Sequence, residues 1–102
     1  MATELNESNF HETIQNSNGL VLVDFFTTWC GPCRMLSPIL EQLKDVQVVK
    51  VDGDQSQALI SEQGVQAYPT MILYRNGTEV RRVVGLKSLD DLQDIVDEHN
   101  GG

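Results

Sequence analysis

The only two cysteines of the 102-residue chain are Cys30 and Cys33, separated by a glycine and a proline. A pair at this spacing can serve as a structural disulfide, as half of a metal site or as a redox-active dithiol. A structural disulfide is disfavoured, because closing a loop of about four residues stabilises a fold by roughly 2 kcal/mol, against about 4.7 kcal/mol for 100 residues. A protein that needs a stabilising crosslink gains more from cysteines that lie far apart in the chain.

A zinc site is also disfavoured by the ligands that the chain offers. Structural zinc takes four ligands, and the C-x-x-C pair supplies two of them. The only histidines, His11 and His99, lie near opposite ends of the chain and match no zinc-ligand spacing. The sequence therefore predicts no resident metal, and solvated surface positions account for both histidines.

A redox role has a direct physical basis in the segments around the cysteines. An apolar strand precedes them and a helical segment follows them, with Pro32 suited to its first turn. Cys30 then lies at a helix N-terminus, where free N–H groups and the helix dipole stabilise a thiolate. We expect Cys30 to be the exposed nucleophile. Cys33 belongs to the apolar stripe of the helix and is expected to be the shielded thiol that resolves the mixed disulfide.

Asp24 interrupts the otherwise apolar segment Leu20–Phe26. Burial without a partner disfavours the charged carboxylate and raises its pKa. We interpret Asp24 as the buried proton acceptor for Cys33 in the resolving step, directly or through a water molecule. The alternative is a strand-end aspartate that reaches solvent or caps a neighbouring segment. Lys50, in the neighbouring strand segment, is a candidate partner for Asp24, and a solvated strand lysine is the alternative for it.

Strand-like and helix-like segments alternate along the chain and indicate an α/β fold. Leu20–Phe26 is apolar on both faces, as expected of a central strand that is covered on both sides. Asn6 or Ser8 is the predicted cap of the first helix, and Pro38 predicts a kink in the second. The predicted helices are 6–17, 33–44, 56–64 and 88–99, and the predicted strands are 20–26, 46–52, 70–75 and 78–84, with 2–5 as a candidate fifth strand.

Turn and cap residues mark several of these boundaries. Asn76 and Gly77 predict a type I′ turn between the last two strands. Gly64 is the predicted end of the third helix. Ser88, with Asp91 three residues later, predicts a capping box at the start of the last helix.

Length and charge restrict the classes of function. The 102 residues fit one domain, 1–102, large enough to bury its own core. The net charge of −8 argues against binding to nucleic-acid phosphates or to anionic membranes. No apolar run approaches the roughly 20 residues of a membrane span. The first ten residues lack the pattern of a signal peptide, so the expected location is cytoplasmic, with a processed secreted protein as the alternative.

Taken together, these residues resemble the thioredoxin family. The shared features are the motif Trp-Cys-Gly-Pro-Cys, Phe-Phe leading into it, an aspartate six residues before the first cysteine, a proline five residues after the second, and Tyr-Pro-Thr before a hairpin. Lys50 and Gly85 are further matches outside the motif. The resemblance covers nearly the whole chain. It implies the thioredoxin fold, a central mixed sheet of four to five strands flanked by four helices.

The resemblance also implies a function. A thioredoxin-like chain is a thiol–disulfide oxidoreductase that reduces protein disulfides through the reversible Cys30–Cys33 pair. It binds no cofactor itself, and NADPH acts indirectly through thioredoxin reductase. The implied partners are thioredoxin reductase and oxidised proteins such as peroxiredoxins, methionine sulfoxide reductases and ribonucleotide reductase. The implied protein is a cytoplasmic monomer.

A docking surface around Cys30 is the last implication of the resemblance. Pro69 is expected to follow a cis peptide bond and to lie against the disulfide. The backbone of Tyr68 is expected to pair with a bound substrate like an added strand. Packing at a strand end is the alternative role for Trp29, and a strand bulge is the alternative for Gly85. The residues implied to form the surface around Cys30 are Trp29, Gly31, Pro32, Pro69 and Gly85.

Two residues depart from the family pattern. Phe26 stands where many bacterial thioredoxins have a second tryptophan, and Tyr68 is bulkier than the usual isoleucine or threonine. Tyr-Pro-Thr resembles protein disulfide isomerase domains and supports a rival hypothesis, an oxidase or isomerase in an oxidising compartment. The Gly-Pro dipeptide favours a reductase, because such isomerases typically have Gly-His, whose histidine makes the dithiol more oxidising. A redox-sensitive binding module is the third hypothesis.

Overall fold

A computed structural model describes residues 2–101, and the predicted domain, 1–102, extends one residue beyond this range at each end. Within these residues, five strands and four helices confirm the predicted α/β architecture, including the fifth strand near the N-terminus. In chain order the elements are β1 (Thr3–Leu5), α1 (Phe10–Asn16), β2 (Leu20–Phe26), α2 (Gly31–Leu40), β3 (Gln47–Asp52), α3 (Gln57–Gln63), β4 (Thr70–Arg75), β5 (Thr78–Val84) and α4 (Leu89–Asn100).

The strands form one mixed sheet in the order β1-β3-β2-β4-β5. β1 and β2 both pair with β3 in parallel, whereas β4 is antiparallel to β2 and to β5. β2 is therefore the central strand. Because the C-terminal ends of β2 and β3 lie at the same edge of the sheet, the loops that follow them are neighbours.

Two hydrophobic cores lie on opposite faces of β2, as its apolar pattern predicts. Val21, Val23 and Phe25 pack in the core that also contains residues of α1 and α3. Leu20 and Leu22 pack in the core that contains residues of α2 and α4. Side chains alternate along a strand, so Asp24 points to the same face as Leu22, toward the side of the sheet that α2 covers.

The predicted hairpin turn and two of the predicted helix caps are confirmed. Asn76 and Gly77 have φ values of 53° and 82°, as a type I′ turn requires. Gly64 ends α3 with a φ of 66°, in the left-handed region that favours glycine. The Ser88 hydroxyl oxygen accepts a hydrogen bond from the Asp91 N–H at 3.1 Å and caps α4.

Two helix boundaries differ from the prediction. The predicted caps of α1 are wrong: Asn9 occupies the cap position, and the Asn6 side chain instead accepts the N–H of Ser8 at 2.9 Å within the preceding turn. The second helix begins at Gly31 and ends at Leu40, four residues before the predicted end. Pro38 cannot donate a hydrogen bond within the last turn, which weakens the continuation of the helix. The kink at Pro38 stays a prediction.

Within residues 2–101, none of the helices has the length and apolar character that crossing a membrane requires.

Arg82 connects β5 to the C-terminal end of α3. Its guanidinium donates to the carbonyl oxygens of Gln63 and Gly64 at 2.6 and 3.1 Å and to the Glu79 carboxylate at 2.9 Å. We expect Arg82→Met to lower the free energy of unfolding by about 1–3 kcal/mol, because the helix carbonyls lose a charged donor. Denaturant unfolding measures this value.

Arg81 supplies the matched control for this substitution. It lies beside Arg82 and makes an exposed ion pair with Glu98, with an N–O distance of 3.7 Å. An exposed pair contributes little, so Arg81→Met is expected to change the stability by less than about 1 kcal/mol. Equal losses in the two variants would show that the contacts of Arg82 with α3 are unimportant.

Candidate active site

Cys30 and Cys33 lie at the junction between the central strand and α2. Cys30 is the N-cap of α2, and its Sγ atom accepts a hydrogen bond from the Cys33 N–H at 3.2 Å. The two Sγ atoms form a disulfide, the oxidised state of the pair, with a Cα–Cα distance of 5.3 Å. Pro32 lies in the first turn, as predicted. The helix N-terminus therefore points its free N–H groups toward the sulfur of Cys30.

The predicted contrast in exposure between the two cysteines is wrong for the disulfide form. Cys30 is 6% exposed and Cys33 is 4% exposed, so both are buried. Cys30 Sγ turns back into the first turn of α2, where it accepts the Cys33 N–H and is bonded to Cys33 Sγ. The difference between the two sulfurs lies in their position on the helix rather than in their exposure.

Asp24 is fully buried in the interior of β2. Among residues 2–101, neither of its carboxylate oxygens has a hydrogen-bond partner. Burial raises its pKa from 3.8 to about 6, and the positive charge of Lys50 acts in the opposite direction. The predicted rise in pKa is confirmed, and a strand-end aspartate that reaches solvent or caps a neighbouring segment is excluded. The carboxylate is mostly ionised at neutral pH, yet its pKa is close enough to accept and return a proton.

Lys50 lies beside Asp24 in the register of β2 and β3. Its side chain is held by two other contacts: Nζ donates to Ser37 Oγ at 3.2 Å and lies 4.6 Å from the centroid of the Phe26 ring. A cation over an aromatic face is attracted by the ring. The ammonium group is therefore positioned in the site and is not simply a solvated strand lysine.

A cavity of about 320 Å³ connects the groups around Cys33. It has room for several water molecules. Within the described part of the chain, no group of three or more His, Cys, Asp or Glu side chains is arranged to hold a metal ion. The residues that line the cavity are Phe26, Thr27, Thr28, Cys33, Arg34, Ser37 and Lys50.

The remaining predicted site residues form two neighbouring groups. Trp29 is 66% exposed, and its ring is nearly perpendicular to the Tyr68 ring with a centroid distance of 6.2 Å. The Tyr68–Pro69 peptide bond is cis, as predicted. The Gly85 N–H donates to the Pro69 carbonyl oxygen at 2.8 Å, which brings the start of β4 and the end of β5 together. Gly31 and Pro32 are exposed at the start of α2.

Sequence reasoning missed three residues of this region. Ser37 follows Cys33 by four positions, and this helical spacing was the signal that could have placed it in the same cavity. Gly53 and Asp54 directly follow β3, and the Gly53 N–H donates to the Phe26 carbonyl oxygen at 2.7 Å. The sequence pattern that could have predicted Gly53 and Asp54 was Asp-Gly-Asp at the carboxyl end of a strand parallel to β2.

The family model described as Thioredoxin matches residues 1–98. The chain belongs to the thioredoxin family. A thioredoxin from Chlamydia trachomatis is 43% identical over 103 residues, which cover 97% of this chain and 99% of that relative. A bifunctional thioredoxin reductase/thioredoxin from Mycobacterium leprae is 41% identical over 106 residues, which cover 95% of this chain and 23% of that protein.

A solved structure agrees with the thioredoxin assignment. A mutant thioredoxin from Halobacterium salinarum superposes with a TM-score of 0.90 at 36% identity, covering 97% of this chain and 90% of the other. The predicted thioredoxin fold is therefore confirmed. With a disulfide-bonded Cys-Gly-Pro-Cys pair at the helix N-terminus, this thioredoxin-family chain is a thiol–disulfide oxidoreductase. Two electrons and two protons convert the observed disulfide into the dithiol.

Proposed function

We propose that the chain is a general protein-disulfide reductase in which Cys30 is the nucleophile and Cys33 is the resolving cysteine. The observation that carries this assignment is the hydrogen bond from the Cys33 N–H to Cys30 Sγ at the start of α2. In the reduced protein, the same N–H and the helix dipole stabilise a thiolate on Cys30. Cys33 Sγ has no equivalent place at the helix end.

Disulfide reduction proceeds in two exchanges. The Cys30 thiolate attacks one sulfur of the target disulfide, forms a mixed disulfide and releases the other target sulfur as a thiolate. Cys33 then attacks Cys30 Sγ, forms the internal disulfide and releases the second target sulfur. Two electrons pass from the dithiol to the target, and the chain ends in the oxidised state seen in the structure.

Asp24 is the proposed proton acceptor in the second exchange. Cys33 must lose its proton to become a nucleophile. Asp24 lies on the sheet face that α2 covers, and its raised pKa, about 6, suits proton transfer near neutral pH. Lys50 limits this rise in pKa by its charge and lines the same cavity as Cys33. The proton passes from Cys33 to Asp24 directly or through a water molecule, and the charge of Lys50 keeps Asp24 ionised at neutral pH.

The docking surface is proposed on the exposed residues that surround the buried disulfide. Exposure of Trp29, Gly31 and Pro32 supports their place on it. The Tyr68 backbone, before the cis bond, is the proposed partner of an extended target segment. Pro69 and Gly85, joined by a hydrogen bond, form its remaining part.

Thioredoxin reductase is the proposed electron donor, with NADPH as the ultimate source. The Mycobacterium leprae relative supports this partner, since its name joins the two activities in one protein. The proposed targets are peroxiredoxins, methionine sulfoxide reductases and ribonucleotide reductase, met in the cytoplasm by a monomeric chain. We infer that residues 1–102 act as a single thioredoxin domain, which the family match over 1–98 supports.

The reduction potential of the Cys30–Cys33 pair tests the direction of electron flow. We expect about −270 mV, the value typical of thioredoxins, against about −180 mV for protein disulfide isomerase. The measurement equilibrates the protein in dithiothreitol buffers of known ratio and counts free thiols by alkylation. The gap of about 90 mV corresponds to roughly 4 kcal/mol for two electrons. A value near −180 mV would overturn the reductase proposal in favour of an oxidase or isomerase.

A further inference from the structure

We propose that the Tyr68 side chain is a positioning residue for Trp29, which it holds as a fixed aromatic wall of the docking surface for protein disulfides. The proposal rests on the docking surface proposed above, but it concerns the Tyr68 ring rather than its backbone. It makes Tyr68 a determinant of how tightly a protein disulfide binds before the first exchange.

The ring of Tyr68 packs inward, not toward solvent. It is half-buried against the hydrophobic core that contains Phe25, Leu59 and Val65. It is nearly perpendicular to the Trp29 ring, with a centroid distance of 6.2 Å and an interplanar angle of 84°. Edge-to-face pairs of this kind are favourable beyond their buried area. The tyrosine ring therefore contacts both the hydrophobic core and the exposed indole.

Gly53 provides the backbone surface on which the Tyr68 ring lies. A Cβ atom on Gly53 would collide with the Tyr68 hydroxyl and would lie 2.6 and 2.8 Å from Cζ and Cε1. Real Cβ atoms do not approach other atoms so closely. The Gly53 N–H is itself anchored to the Phe26 carbonyl oxygen at 2.7 Å. The ring thus lies in a slot that only glycine leaves open.

Asp54 holds the same indole from the other end. Its Oδ2 atom accepts a hydrogen bond from Trp29 Nε1 at 2.9 Å. Burial, followed by the charges of Asp54 and Asp52, raises the pKa of the Tyr68 phenol, so its ring stays neutral in the cluster. Trp29 is therefore supported at two points while 66% of it remains exposed.

A fixed and exposed aromatic ring suits recognition of protein surfaces. Aromatic anchors contribute strongly to interfaces, and a side chain that is already ordered loses less entropy on binding. Releasing the indole should therefore weaken the binding of a protein target. It should not change the chemistry at Cys30, which depends on the start of α2.

The experiment uses the single tryptophan of the chain as its probe. Time-resolved fluorescence anisotropy of the reduced protein measures the mobility of the Trp29 indole. In parallel, single-turnover reduction of insulin and of bis(2-hydroxyethyl) disulfide is followed by acid quenching and alkylation. The first disulfide presents a protein surface, and the second is too small to do so.

We expect Tyr68→Thr to add a fast component to the anisotropy decay. Its half-saturation concentration for insulin should rise by roughly 3- to 10-fold, and the ratio of its insulin rate to its small-disulfide rate at subsaturating concentrations should fall by a similar factor. Tyr68→Phe keeps the ring and should leave the Trp29 indole as immobile as in the unmodified chain. Tyr68→Leu repeats the test with an apolar side chain if the threonine variant does not fold.

Gly53→Ala provides an independent route to the same displacement. Its Cβ should push the Tyr68 ring aside and reproduce the mobile indole and the weaker insulin binding. In the double variant with Tyr68→Thr, Gly53→Ala should weaken insulin binding no further, because the tyrosine ring is already absent. Additive losses would overturn the proposal.

Two other results would also overturn it. One is an indole that stays immobile in Tyr68→Thr, or in Tyr68→Leu if that variant replaces it. The other is an equal loss of rate with both disulfides, which would place Tyr68 in the fold or the chemistry. If the unmodified chain reduced neither disulfide, the proposed function would fail, whereas the anisotropy would still decide whether Tyr68 positions Trp29.

Discussion

Replacement of Cys33 by serine is expected to trap protein targets as stable mixed disulfides. Cys30 keeps its place at the N-terminus of α2 and still attacks the target, but no second thiol is present to release it. Turnover should fall to the uncatalysed level, while about one target molecule accumulates on each chain. Non-reducing gel electrophoresis and intact-mass analysis of the quenched reaction measure the adduct.

Cys30→Ser is the matched control for this trap. It removes the nucleophile and leaves Cys33 buried behind the first turn of the helix. We expect this variant to lose turnover as completely as Cys33→Ser and to form no adduct. An adduct in Cys30→Ser, with none in Cys33→Ser, would reverse the proposed roles. A redox-sensitive binding module would instead bind the same partners noncovalently after either substitution.

Asp24→Asn is expected to slow release of the mixed disulfide by about 100-fold near pH 7, the scale of general base catalysis. The rate in the unmodified chain should rise as Asp24 loses its proton around pH 6. The asparagine variant should lack this rise. The release rates of the variant and the unmodified chain should approach each other at alkaline pH, where Cys33 ionises without assistance. Stopped-flow measurement of release from a preformed mixed disulfide gives both profiles.

Asp24→Asn is expected to stabilise the fold, although it slows release of the mixed disulfide. Because the pKa of Asp24 in the folded chain is raised, its contribution to stability is largest below pH 3.8 and is lost as the pH rises through about 6. The difference corresponds to roughly 3 kcal/mol. We expect Asp24→Asn to raise the free energy of unfolding by up to this amount at pH 8. At pH 3 the free energies of unfolding of the variant and the unmodified chain should be nearly equal. Denaturant titrations at both pH values measure the effect.

Asp52 provides the control for both effects. It is also buried, at the end of β3, but its Oδ1 accepts the Asp54 N–H at 2.9 Å. Asp52→Asn should therefore not raise the free energy of unfolding at pH 8. It should also keep the rise in the rate of mixed-disulfide release around pH 6. An unchanged release rate in Asp24→Asn would remove Asp24 from the mechanism, even if the stability rose as expected.

Much of the fold was predictable because its signals are local. The double-sided apolar pattern of Leu20–Phe26 predicts a covered central strand, and two cores flank it. The turn at Asn76 and the helix end at Gly64 follow from backbone conformations that few residue types adopt easily. The end of α2 at Leu40 was missed, because the amphipathic pattern continues to Leu43 and outweighed the signal from Pro38.

The sequence by itself determined the redox pair, its place at a helix N-terminus and the buried carboxylate in the strand before it. All three depend on residues close together in the chain. Only the tertiary structure decided what surrounds them. Parallel pairing of β2 with β3 places Lys50 beside Asp24, and the adjoining loops bring Asp54 to Trp29 and Gly53 under Tyr68. Such contacts arise from strand order, which no local pattern of residues encodes.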